Sequence, residues 1–125
     1  MEYAESGDLS MKIKNLKKGK KRFSEEKIIR YFYQLVLALS ELHKNNVIHW
    51  DLKTANVFLH SNFKDIKLGD MNVSKIVTNF FANTQTGTPY YASPEVWRDE
   101  AYSTKTDIWS LGCVMYEMCM LRPPF

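Results

Sequence analysis

The segment His49-Trp50-Asp51-Leu52-Lys53-Thr54-Ala55-Asn56 holds the densest chemistry in the chain. In extended backbone, residues two apart point the same way, so Asp51 and Lys53 face one site. A carboxylate beside an ammonium suits phosphoryl transfer. The carboxylate orients a hydroxyl nucleophile, and the cation offsets charge on the group in transit. Asn56 adds a neutral oxygen of the hard type that Mg²⁺ takes. Further on, Gly69-Asp70-Met71-Asn72 follows a strand-like run. A carboxylate at a strand exit can hold a metal that bridges two phosphates. Alone, Asp70 would read as a turn residue; behind the first segment and a hairpin, it joins the same site.

These groups need elements to hold them. A helical pattern opens after Ser24, a good N-cap, with Glu25 and Glu26 in the first turn where the helix dipole favours anions. Ile28, Phe32, Leu35, Leu39 and Leu42 follow the spacing of one buried face, which Ile29 and Val36 widen, and Asn45-Asn46 stops the run. Val47-Ile48, Val57-Phe58-Leu59 and Ile66-Lys67-Leu68 read as short strands, with 61–65 as a polar hairpin turn. From Asn72 to about Tyr91 there is no sustained period, and a loop of that length is usually functional. A last helix starts near Thr106 or Asp107. Its apolar content predicts burial nearly all round, and Pro123-Pro124 ends it.

The long loop closes on Gly87-Thr88-Pro89-Tyr90-Tyr91-Ala92-Ser93-Pro94-Glu95. The set His-x-Asp-Leu-Lys-x-x-Asn, then Gly-Asp, then Ser-Pro-Glu resembles the signature of eukaryotic protein kinases. Glu2 to Leu9 looks like the hinge and the helix after it, and Asp107 to Gly112 like the start of the large lobe's central helix. More narrowly, Gly87 to Glu95 and Leu121-Arg122-Pro123-Pro124-Phe125 are similar to the NIMA-related serine/threonine kinases. Lys53 favours Ser/Thr specificity over the Arg-bearing loop of tyrosine kinases. The resemblance spans residues 1–125 as one partial kinase domain: hinge, catalytic loop, metal-binding loop, activation segment and central helix. It implies an α+β, protein-kinase-like fold, represented by a mainly helical large lobe with the small lobe absent. No Gly-x-Gly-x-x-Gly occurs among these residues.

By position, the resemblance implies Asp51 as catalytic base, Lys53 as the phosphate-facing cation, and Asn56 and Asp70 as Mg²⁺ ligands. Thr88 would hydrogen-bond toward Asp51 and Lys53. ATP would lie with its adenine over Phe58, its edge against the backbone near Tyr3 and Ala4, and its ribose facing Asp8. Thr84 corresponds to the activation-loop phosphosite, with Thr78 and Thr86 as neighbours that compete for the role. Three departures stand out. Trp50 replaces the Arg that would meet a loop phosphate, which leaves Lys75 as the nearby cation. Met71-Asn72 replaces Phe-Gly. Glu95 would lack the Arg that normally pairs with it. Asp107 reads as a scaffold that accepts from the backbone near His49, and His49 as a core histidine. His43 and His60 read as surface residues without a partner.

Composition sets the remaining bounds. The 125 residues are 45% apolar, 25% charged and 14% aromatic, which excludes disordered and low-complexity classes. One core fits this length. Cys113 and Cys119 lie six apart in an apolar stretch and read as core thiols of a reducing compartment. No run nears the roughly 18 apolar residues of a membrane span, and the acidic start lacks a signal peptide's apolar region. A cytoplasmic setting is expected, with no membrane partner. Seven cations lie between Lys12 and Arg22, within a net charge of +3. Without aromatic interleaving they read as a solvated connection, and no nucleic-acid partner is expected. The leading expectation is a protein Ser/Thr kinase that acts on protein substrates. The alternative is a non-catalytic, pseudokinase-like piece that binds proteins. The resemblance extends to microtubule- or cilium-associated partners.

Overall fold

The computed structural model describes residues 6–69, 75–76 and 89–125. Helix α1 spans Leu9–Lys18, capped by Asp8, whose Oδ1 accepts the Met11 amide at 2.8 Å. Much of the basic run is therefore helix rather than a connecting segment. Leu9 and Ile13 are buried, and Lys17 and Lys18 in the last turn complement the dipole. Charge sits on one side of this helix and core on the other.

Helix α2, Glu25–Lys44, starts at the expected Ser24 cap and ends at Asn45. Leu35 and Leu39 are buried, and Ile28, Phe32 and Leu42 pack at the core's margin. The wider stripe does not hold, because Ile29 is 56% exposed and Val36 38%. Tyr31 is fully buried in their stead. Its hydroxyl donates to the Phe63 carbonyl at 2.8 Å, which satisfies the polar tip and lets the ring enter the core.

The sheets are small. Strands β2 (Val57–Leu59) and β3 (Ile66–Leu68) pair antiparallel around the 61–65 turn, as their sequences predict. Strand β1 (Val47–Ile48) pairs antiparallel with β4 (Lys75–Ile76), so the stretch read as an unbroken loop contains a strand. Leu59 donates its amide to Gly7 O at 2.9 Å, and Asp8 bridges Phe58, which ties the start of α1 to β2. Short helix α3 (Pro94–Trp97) leads to α4 (Lys105–Met120). The core joins Leu9 and Ile13, Leu35 and Leu39, Leu52 and Val57, and Val114 and Met118.

Helix α4 is not buried all round. Ile108 is 49% exposed and Met120 44%, while Cys113 is buried and Cys119 half-buried. No described helix is long and apolar enough to cross a membrane. The described elements are mainly helical, with two small two-stranded sheets.

Candidate active site

Between β1 and β2 the chain runs extended through Lys53 and then tightens into a 3₁₀ turn, Thr54–Asn56. This shape brings three expected residues together. Lys53 Nζ donates to Asp51 Oδ2 at 2.7 Å, with both side chains only partly exposed. Asn56 Nδ2 donates to the same Oδ2 at 3.0 Å and to the Asp51 carbonyl at 2.8 Å. Asp51 is thus an oriented carboxylate with one oxygen doubly held. A carboxylate fixed this way can accept a hydroxyl proton through its other oxygen.

Both donations of Asn56 use Nδ2, so Oδ1 is turned away from Asp51. A neutral, hard oxygen fixed beside an anionic one fits a magnesium site. Among the described residues no cluster of three or more His, Cys, Asp or Glu side chains is arranged to hold a metal. Asp70, the second expected ligand, lies outside the described residues, as do Tyr3, Ala4, Thr88, Thr84, Met71 and Asn72. Lys75 is described only through the pairing of β4.

Phe58 is half-buried on β2. A Cβ on Gly69 would lie 2.6 Å from its ring, so only glycine lets β3 exit over Phe58. That close approach sets the chain just before Asp70. Asp8 bridges Phe58 through the backbone, while one of its carboxylate oxygens caps α1. It therefore has a structural task whatever else its free oxygen meets.

Asp107, fully buried on α4, organises the loop from behind. Its Oδ2 accepts the His49 amide at 2.9 Å, and its Oδ1 accepts the Trp50 amide at 3.0 Å. The scaffold role expected of it is observed. His49 is fully buried, as expected of a core histidine, with Nε2 3.0 Å from Gly69 O. Trp50 has φ 73, a left-handed conformation costing a non-glycine residue about 1–2 kcal/mol. The two bonds to Asp107 hold that conformation immediately before Asp51.

Other residues that support the loop were not anticipated. His43 is no unpartnered surface residue; its Nε2 donates to Asp107 Oδ2 at 2.8 Å. Thr54 Oγ1 donates to Glu117 Oε2 at 3.2 Å and lies 3.1 Å from Tyr91 OH, which also donates to Glu117. Burial first, then the bond to Glu117, pushes the Tyr91 phenol well above its usual range. Ser110 Oγ donates to Tyr91 O at 2.8 Å, so α4 anchors the 89–91 turn against the catalytic loop. The only sequence signal for these links was the polarity of Thr54 and Glu117 within apolar surroundings.

Glu95, expected to lack the Arg that normally pairs with it, has no ion pair with an Arg among the described residues and is held by a hydroxyl instead. Thr106 Oγ1 donates to it at 3.1 Å. Burial raises its pKa, but its own amide, the Ser93 and Thr106 hydroxyls and nearby Arg98 outweigh that, and the carboxyl ends below its ordinary range.

The family model for the protein kinase domain matches residues 1–125. Among curated relatives, mouse (Mus musculus) serine/threonine-protein kinase Nek3 is 46% identical over 127 residues, covering 100% of this chain and 24% of its own. Mouse serine/threonine-protein kinase Nek2 is 47% identical over 132 residues, covering 100% and 30%. The G2-specific protein kinase fin1 of Schizosaccharomyces pombe is 42% identical over 146 residues, covering 100% and 20%. The chain thus spans under a third of the length of each of these relatives. It belongs to the protein kinase family, and its relatives there are the Nek serine/threonine kinases.

Proposed function

We propose that these residues supply the catalytic loop of an ATP- and Mg²⁺-dependent protein serine/threonine kinase. The observation that carries this is the Asp51 carboxylate, held at one oxygen by Lys53 at 2.7 Å and Asn56 at 3.0 Å. Asp51 accepts the proton of a substrate Ser or Thr hydroxyl as that oxygen attacks. Lys53, already beside Asp51, offsets negative charge gathering at the transfer centre. Asn56 and Asp70 would hold the metal, and Phe58, Asp8 and the backbone near Tyr3 and Ala4 the nucleotide. Bound ATP supplies the transferable γ-phosphoryl group, and Mg²⁺ offsets its charge. Thr88 would complete the groove beside Asp51 and Lys53.

Protein substrates follow from the family. A cytoplasmic setting at the cytoskeleton or cilium, with microtubule-associated partners, rests on the NIMA-related resemblance. The test is phosphate transfer to a generic protein substrate by the intact protein. Asp51→Asn is expected to lower kcat by a factor of about 10² or more, since general-base catalysis contributes on that order. Transfer by wild type no faster than background would favour the non-catalytic, protein-binding alternative, and equal measurable activity in wild type and Asp51→Asn would remove Asp51 as the base.

A further inference from the structure

Among the described residues, two contacts hold Trp50 from different directions. Its amide donates to Asp107 Oδ1 at 3.0 Å, which fixes the backbone at φ 73. Its indole meets the ring of Tyr102, with centroids 4.1 Å apart and planes tilted by 46°. Tyr102 lies on the connection between α3 and α4, over 50 residues from Trp50 in the chain. Both residues are half-buried.

A left-handed non-glycine residue persists only where its surroundings over-determine it. The carboxylate of Asp107 is shared among three donors, His43, His49 and Trp50, so the Trp50 amide bond is one claim among several. Packing of the indole adds a constraint on the side chain that a backbone bond does not supply. Trp50 is also the residue directly before Asp51, so its backbone conformation sets the direction in which the 51–56 segment, with Asp51, Lys53 and Asn56, leaves the Asp107 anchor.

We infer that Tyr102 is a positioning residue for Asp51, acting through Trp50. Its ring clamps the indole, holds the left-handed turn and couples the α3–α4 connection to the catalytic loop. This rests on Asp51 being the catalytic base, as proposed above. A tilted aromatic pair of this kind is a small but measurable constraint. Misplacement of a reacting group costs rate more than it costs binding of the nucleotide.

The experiment compares wild type, Tyr102→Ala and Tyr102→Phe in the intact protein, by steady-state kinetics and by amide hydrogen exchange at residues 50–52. Tyr102→Ala is expected to lower kcat about fivefold, to leave KM for ATP within about twofold, and to speed exchange at 50–52. Tyr102→Phe keeps the ring and is expected to restore both readouts. If Tyr102→Ala does not fold, Tyr102→Leu fills the space without a ring and should give the same exchange increase. Unchanged exchange at 50–52 overturns the clamp whatever the activity. Faster exchange with unchanged kcat overturns the positioning role. An inert wild type whose 50–52 amides still loosen in Tyr102→Ala overturns the kinase reading while supporting the clamp.

Discussion

His43 and Asp107 stand 64 positions apart in the chain, yet Nε2 of the first lies 2.8 Å from Oδ2 of the second. The contact joins α2 to α4 behind the catalytic loop. It places a donor on a carboxylate that is 1% exposed and already serves the amides of His49 and Trp50. His43→Ala removes one donor of three and is expected to destabilise the fold by about 1–3 kcal/mol. Asp107→Ala strands the buried His49 amide and the partly buried Trp50 amide and releases Trp50 from its left-handed turn. Its cost is expected to exceed that of His43→Ala by about 1–3 kcal/mol. Denaturant unfolding of the intact protein measures both. Equal effects would show that the His43 bond, not the loop amides, is the main contribution of Asp107.

Tyr91 gives the alkaline side of stability a specific origin. Its phenol is raised above the ordinary value of 10.0, first by burial and then by Glu117. A folded-state pKa above the unfolded one means the contribution is complete below about pH 10 and is lost as pH rises further. Tyr31 is shifted the same way, chiefly by burial, so one substitution removes part of the slope. Tyr91→Phe is expected to be less stable than wild type at neutral pH by about 0.5–1.5 kcal/mol. The difference should narrow above pH 10. Unfolding free energies at pH 8 and pH 10.5 decide it; a constant difference would count against the Tyr91–Glu117 bond as the source.

The residues that were legible from sequence are those whose signals are local. Ser24 caps α2 because a side-chain oxygen before a helical period has one obvious use. The β2–β3 hairpin follows from two apolar runs around a polar turn, and the Asp51–Lys53 contact from a spacing of two. What was missed depends on partners distant in sequence. His43 offered no pattern because its acceptor sits on another helix, and β4 has two residues and no period, so pairing with β1 alone defines it. Tyr31 displaced Ile29 from the core because a carbonyl on the hairpin satisfied its hydroxyl. Helix α1 was expected only from the resemblance, as the helix after the hinge; its lysines mask the period, although Leu9, Ile13 and Leu16 keep helical spacing.

The exposed side of α4 predicts association of the 125-residue chain when it is prepared alone. Trp109 and Phe125 stack with ring centroids 6.0 Å apart, and open grooves of about 590 Å³ and 510 Å³ flank them. Trp97 is 63% exposed and Ile108 49% beside those grooves. Contiguous apolar surface of this kind drives self-association. Sedimentation is expected to show concentration-dependent mass, reduced by the pair Ile108→Asp and Trp97→Ser. A monomer at every concentration would refute it. Phosphoryl transfer by this isolated chain is expected to be negligible, because residues 1–125 contain no glycine-rich loop to position the phosphates.

Trp50 predicts an altered dependence on phosphorylation. The protein-kinase resemblance places an Arg at this position and a phosphothreonine at Thr84. An Arg offers a bidentate fork to such a phosphate, whereas indole has one N–H donor and no charge. In this chain the indole is engaged with Tyr102 instead. Loss of phosphate at Thr84 should therefore cost little activity in the native background. In Trp50→Arg the basal rate should fall, because the ring contact is gone, and dependence on Thr84 should rise. A hydrogen bond to a charged group contributes about 1.5–3 kcal/mol, so the restored dependence should be tenfold or more. The measurement is the ratio of kcat with and without Thr84→Ala in the two backgrounds, using the intact protein after activation. Equal ratios would show that Trp50 does not uncouple the loop from its phosphate. A larger ratio in Trp50→Arg would show that an aromatic contact has taken the place of an ionic one next to Asp51.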